Sequence, residues 1–200
     1  MMTGKTREFF DAIATEWEED PGNSPDSDDL VRLARLFPVA ENDVVLDAGC
    51  GSGRLLPLLR RAVGEKGAIF EMDISGEMLK TGKRKRGDLR AHFVQANVQR
   101  IPVAKGLFDA VICFGLFPHI ADKRAALAEF RRVLKPGRPV VIAHLMGRVE
   151  LNALHAGFSE PVRHDRLPAE AVMRELFRSA GFKDGAIRDE HALYFARASA

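Results

Sequence analysis

Three glycines at alternate positions, Gly49, Gly51 and Gly53, follow an apolar run from Val44 to Leu46 that ends in Asp47. A helical pattern starts directly behind them. Glycine has no Cβ, so such a loop turns sharply and brings backbone N–H groups close to a ligand. The helix behind it aims its positive N-terminal end at the same spot. Asp47 makes the site asymmetric, because its charge repels a bare pyrophosphate and attracts a ligand that carries an amino group. The dinucleotide fingerprint spaces its glycines as G-x-G-x-x-G, whereas residues 49–53 read Gly-Cys-Gly-Ser-Gly, one residue short. A nicotinamide-dependent oxidoreductase is therefore the weaker alternative.

The groups able to move protons are histidines. His119 follows the fourth predicted strand and His144 ends the fifth, so with those strands side by side both imidazoles line one pocket. His155 and His164 fall in the segment 147–167, near Glu150, Asn152 and Asp165. His119, His144 and His155 are the candidate catalytic bases, each with a second reading as a capped or solvated side chain. Imidazole suits zinc or iron, but the spacings of His144, His155 and His164 match no standard motif, and no metal is assigned. Cys50 and Cys113, the two cysteines, lie at apolar strand ends and read as reduced thiols of a cytoplasmic protein. Lys80, Lys83, Arg84, Lys85 and Arg86 form a basic run without interleaved aromatics, which reads as a solvated helix face and not a nucleic-acid platform.

These groups need elements to hold them. Apolar stripes at three- and four-residue steps predict helices over Arg7–Glu19 and Asp28–Phe37, broken by Pro21, Gly22, Asn23 and Pro25. Beyond residue 40 the pattern alternates. Strands are expected at 43–47, 68–73, 91–96, 108–113 and 139–145, and helices at 53–63, 75–86, 121–135 and 168–180. Short apolar strands between amphipathic helices argue for a parallel sheet covered on both faces. The tail differs: 182–188 and 192–198 are joined by Asp189, Glu190 and His191 alone, which permits an antiparallel hairpin but no parallel crossover. Residues 147–167, rich in Gly and Pro around a helical stretch at 149–156, leave the fifth strand over the carboxyl edge of the sheet, where ligands bind in open α/β folds. They form a candidate lid. Residues 1–200 are read as one domain, with 1–40 a helical cap.

Bulk properties agree with this class. Thirty basic and 28 acidic residues nearly cancel, so no global field points to nucleic acid or an anionic membrane. No run of about 18 apolar residues is present to span a bilayer.

Joined to Asp47, the glycine loop resembles motif I of class I S-adenosylmethionine-dependent methyltransferases, and the resemblance runs through roughly 45–145. Phe70-Glu71-Met72-Asp73-Ile74-Ser75-Gly76-Glu77-Met78-Leu79 resembles that family's acidic end of strand two. Residues 93–102 (Phe-Val-Gln-Ala-Asn-Val-Gln-Arg-Ile-Pro) resemble its adenine-side loop. Phe108–Cys113 with Leu134-Lys135-Pro136-Gly137 resemble its fourth strand and the turn before strand five. The match is nearest to the type 11 group, which includes ubiquinone/menaquinone C-methyltransferases. It implies an α/β, three-layer Rossmann-like fold with strand order 3-2-1-4-5-7-6 and S-adenosyl-L-methionine as cofactor, released as S-adenosyl-L-homocysteine. It also implies a small-molecule methyl acceptor, with no nucleic acid and no membrane span. Gly49 and Gly51 would meet the amino-acid half of the cofactor, with Gly53 of the same loop also cofactor-binding, Asp47 near its ammonium, and Asp73 at both ribose hydroxyls. Ile74, Met78, Asn97, Val98 and Phe114 would surround the adenine side. Asn97 stands where the family usually has Asp. A third reading, a non-catalytic subunit that keeps the cofactor site, is left open, because methyl transfer obliges no catalytic residue.

Overall fold

The computed structural model describes residues 4–20 and 24–200, so Pro21, Gly22 and Asn23 of the expected break lie outside the described residues. Seven strands form one sheet: β1 (Val44–Ala48), β2 (Ala68–Asp73), β3 (His92–Gln95), β4 (Ala110–Phe114), β5 (Pro139–His144), β6 (Lys183–Glu190) and β7 (Leu193–Ser199). Their order is β3-β2-β1-β4-β5-β7-β6. The first five are parallel, while β7 runs antiparallel to both β5 and β6.

The helices are α1 (Gly4–Glu19), α2 (Asp28–Ala34), α3 (Leu56–Val63), α4 (Gly76–Arg86), α5 (Lys123–Val133), α6 (Arg148–Ala156) and α7 (Glu170–Ser179). Alternation along the strands divides the core in two. Val45, Ile69, Ile112 and Val141 face α2 and α3, through Leu30, Leu33, Leu56 and Leu59. Leu46, Val111, Cys113 and Ile142 face α5 and α7, through Leu127, Phe130, Met173 and Phe177. Strands buried on both faces must be apolar throughout, which is why β4 and β5 read as continuous hydrophobic runs.

Boundaries move where local chemistry intervenes. The third helix starts at Leu56 and not at 53, because Gly53 sits at φ +81° in the turn before it. Pro57 falls at its second position, where the missing N–H costs nothing. The fourth strand starts at Ala110, and Phe108 makes only an isolated bridge to Leu134. The hairpin link is shorter than expected: Asp189 and Glu190 pair with β7, leaving only His191 and Ala192 in the turn. Ser75 caps α4, its hydroxyl accepting from Met78 N at 3.1 Å. Among the described residues no helix is long and apolar enough to cross a membrane.

Candidate active site

The carboxyl ends of β1, β2, β4 and β5 open on one side of the sheet, and two adjoining cavities lie there. The first, about 650 Å³, is walled by Gly49, Cys50, Gly51, Asp73, Ile74, Met78, Phe114, Gly115 and Leu116. The glycine loop can take this shape only as glycine: φ is +74° at Gly49 and +57° at Gly51. A Cβ on Gly49 would also lie 2.5 Å from the Leu116 side chain. Met72 O accepts from both Gly49 N (2.7 Å) and Cys50 N (3.0 Å), anchoring the loop to the end of β2.

Asp73 organises this cavity. Its Oδ2 accepts from Gly51 N at 2.9 Å and its Oδ1 from Ser75 N at 2.8 Å. Each oxygen keeps lone pairs for a ligand hydroxyl. Burial raises the Asp73 carboxyl above its usual range, against the opposing pull of those backbone donors. Asp47 lies deeper. It is in register with Glu71 across β1 and β2, is only 1% exposed, and neither of its carboxylate oxygens has a partner. Burial, with Asp73 nearby, pushes it up to about 8. Glu71 is likewise buried, and burial with the Asp47 charge raises it well above the carboxylate range against the opposing pull of the Cys50 thiol and Arg86. A buried, unpaired carboxyl is costly, so Asp47 is a place where a cation would be welcome.

Not every residue expected at the cofactor lines this cavity. Gly53 faces away, toward Glu71 and Arg86. Val98 is packed in the core, and Asn97 closes a turn by accepting from Gln99 N at 2.9 Å. Ile74, Met78 and Phe114 do line it.

α1 forms the outer wall, with Phe10 and Trp17 facing the first cavity. Sequence reasoning missed what holds it there. Glu18 accepts from Ser52 Oγ at 2.5 Å and pairs with Arg86 at 2.9 Å, while Arg86 also donates to Ser52 O at 2.9 Å. Arg86 therefore departs from the solvated face expected of the basic run, and only 9% of its side chain is exposed. Burial works to raise Glu18, but the hydrogen bonds from Arg86 and Ser52 prevail and hold it low. Further along α1, Asp11 Oδ1 accepts from Ser75 Oγ at 2.6 Å.

The second cavity, about 1,380 Å³ and open to solvent, shares Phe10, Trp17, Arg54, Phe114, Gly115 and His119 with the first. Its other walls carry Glu16 and Asp20 but are mostly apolar, with Phe9, Ile13, Leu145, Met146, Leu151, Leu154, Phe158 and Val162. Three histidines, His119, His144 and His155, project into it. The His119 and His155 rings stand 5.0 Å apart. His119 Nδ1 lies 2.6 Å from Asp165 Oδ2, and His155 Nδ1 lies 3.0 Å from the Asp165 carbonyl. His144 is 5% exposed, and its Nε2 has no partner. Burial, reinforced by His119 and His155, pushes it down to about 3. His164 lies on the surface, 3.1 Å from Glu160. Among the described residues no three His, Cys, Asp or Glu side chains are placed to hold a metal.

Comparison with known proteins agrees with this geometry. A family model described as a methyltransferase domain matches residues 45–137. The ubiquinone/menaquinone biosynthesis C-methyltransferase UbiE of Edwardsiella ictaluri is 30% identical over 215 residues, covering 90% of this chain and 84% of that protein. The enzyme of the same name from Shewanella piezotolerans is 35% identical over 144 residues, and the match spans about half of its length (49%). The solved structure of a SAM-dependent methyltransferase from Aquifex aeolicus superposes with TM-score 0.75 at 22% identity, over 94% of this chain and 97% of that one. The first cavity suits that cofactor: the oriented Asp73 carboxylate matches a ribose diol, the Ile74–Met78 wall an adenine face, and the orphaned Asp47 carboxyl an ammonium nearby. The chain belongs to the class I S-adenosylmethionine-dependent methyltransferases of the UbiE-like type.

Proposed function

We propose that the enzyme methylates a small, largely apolar acceptor held in the second cavity, and that His119 takes the acceptor's proton. The observation that carries this is the shared wall: six residues, His119 among them, line both cavities, so donor and acceptor meet there. The bound cofactor supplies an electrophilic methyl group on sulfur, and methyl transfer then needs mainly alignment and exclusion of water. Asp73 would hold the ribose, Gly49 and Gly51 would approach the amino-acid half, and Asp47 would pair with its ammonium group. Ile74, Met78 and Phe114 enclose the adenine side. Gly53, Asn97 and Val98 act one step back, by shaping the loop and the β3 exit that carry these contacts.

For the acceptor half, Asp165 holds His119 Nδ1 and leaves Nε2 to receive a proton. A base so oriented contributes about 10²–10⁴-fold when the acceptor enters protonated. The relatives named as quinone-biosynthesis C-methyltransferases support an acceptor in which an ionisable hydroxyl activates a ring. The segment 147–167 acts as the lid and supplies His155, Phe158 and Asp165. The two free cysteines, both buried, support a reducing, cytoplasmic setting, and neither of them is a methyl acceptor in this reading. The test is S-adenosyl-L-homocysteine formation over candidate acceptors. His119→Asn should lower kcat by about a hundredfold or more with cofactor affinity unchanged, and equal turnover by this variant would remove His119 from the reaction.

A further inference from the structure

Among the described residues that line the second cavity, His144 has a buried polar atom without a partner. His144 closes β5, where every residue is buried, and its ring faces the apolar chamber with Nε2 shielded from water and bonded to nothing. The ring stands edge-on to Tyr194, its register partner on β7, with centroids 6.3 Å apart. That packing fixes the imidazole but pairs neither its Nε2 nor the buried Tyr194 hydroxyl. Native proteins pair nearly all buried polar side-chain atoms, and an orphan costs about 1–3 kcal/mol. An orphan facing a ligand chamber is explained when the ligand completes it.

We infer that His144 is a specificity-determining residue whose Nε2 hydrogen-bonds a second polar group of the acceptor, so that the enzyme selects acceptors with two polar groups on an apolar frame. This rests on the reading of the second cavity as the acceptor chamber, and it separates the roles of two histidines. His119, held by Asp165, handles the proton at the reacting end. His144 is buried and held neutral, with two further imidazoles nearby, so it is a poor proton acceptor and a good fixed hydrogen-bonding edge. Which way the bond points follows from the tautomer: Nε2 accepts from a hydroxyl or, when it carries the proton, donates to a carbonyl. Glu16, Asp20, Arg54, His119 and His155 also line the chamber, whose remaining walls are aliphatic and aromatic. A site built to pair a polar group rejects analogues that lack it far more sharply than an apolar pocket sorts shapes.

The test uses calorimetry on the full chain saturated with S-adenosyl-L-homocysteine. The probes are 4-phenylphenol and the three biphenyldiols that place a second hydroxyl at the 2′, 3′ or 4′ position, which samples the unknown spacing. At least one diol should bind about tenfold or more tighter than 4-phenylphenol. His144→Phe should abolish that preference while leaving 4-phenylphenol and cofactor affinity as they were. His144→Asn, which keeps a hydrogen-bonding edge, should retain part of it. His144→Leu serves should the larger ring disturb β5. The inference is overturned if no diol is preferred, if the preference survives loss of the imidazole, or if both probe classes weaken equally, as a purely structural role would require. Failure of all four probes to bind would instead overturn the reading of the chamber itself.

Discussion

At the scale of single residues, the first cavity is built on carboxylates in unequal surroundings. Asp73 is half-buried and held by two backbone donors, whereas Asp47 is buried and has none. Asp73→Ala should weaken S-adenosyl-L-homocysteine binding by about a hundredfold in calorimetry, the effect of two charge-assisted hydrogen bonds. Asp47 makes a different prediction. Its carboxyl has an ordinary value of 3.8 and is raised to about 8 in the fold, by burial first and Asp73 second. The folded chain thus holds a proton that the unfolded chain has released between these values. Its contribution to stability is complete below the lower value and is lost as the pH rises toward the upper one. The melting temperature of the cofactor-free protein should therefore gain from Asp47→Asn, and gain more at pH 8 than at pH 5. Glu71 and Asp73 are shifted the same way, so they leave a residual slope in the variant. An Asp47→Asn gain that does not change with pH would mean that Asp47 is ionised throughout the range.

At the scale of elements, the legible features are those whose signal is local. The glycine loop, Asp47 and Asp73 lie within 27 residues of one another and carry fixed spacing. The strand–helix alternation and the antiparallel tail follow from hydrophobic period and loop length. Unreadable were the contacts that join distant segments: Glu18 with Arg86, Asp11 with Ser75, Asp165 with His119. Nothing periodic marks such a partner, and a basic run looks the same whether its last member turns outward or inward. Yet these contacts hold α1 and residues 147–167 against the two cavities. The Glu18–Arg86 pair has 9% of each side chain exposed, and removing Arg86 leaves the Glu18 carboxylate only Ser52 Oγ and the more distant Lys85. Arg86→Met should cost about 3 kcal/mol, read as a lower denaturant midpoint, and Glu18→Met combined with it should recover much of that loss. Trp17, the sole tryptophan, stands in the first cavity and reports occupancy. Stopped-flow fluorescence should show faster S-adenosyl-L-homocysteine release from Arg86→Met, because the broken clasp frees both α1 and Ser52 of the glycine loop. Unchanged release would mean that α1 does not retain the cofactor.

At the scale of the whole molecule, the rigid part is the sheet and the adjustable part is what crosses its carboxyl edge. β4 and β5 are buried on both faces and pinned by strands on either side. α1 belongs to both cavities, whereas residues 147–167 border only the second. Occupancy of the first cavity should therefore settle α1 and prepare half of the acceptor chamber, giving positive coupling between the two ligands. Such coupling is reciprocal, so an acceptor analogue must tighten S-adenosyl-L-homocysteine by the factor that it is itself tightened. Hydrogen exchange separates the contributions by segment. S-adenosyl-L-homocysteine alone should slow exchange in α1, in 49–53 and at the start of α4, and leave 147–167 unchanged. Adding 4-phenylphenol should then slow 147–167, while β4 and β5, already protected, stay constant through both steps. Slowing of 147–167 by the first ligand alone would show that the lid answers to the cofactor, and the coupling would then run through His119 and Asp165 instead of through α1.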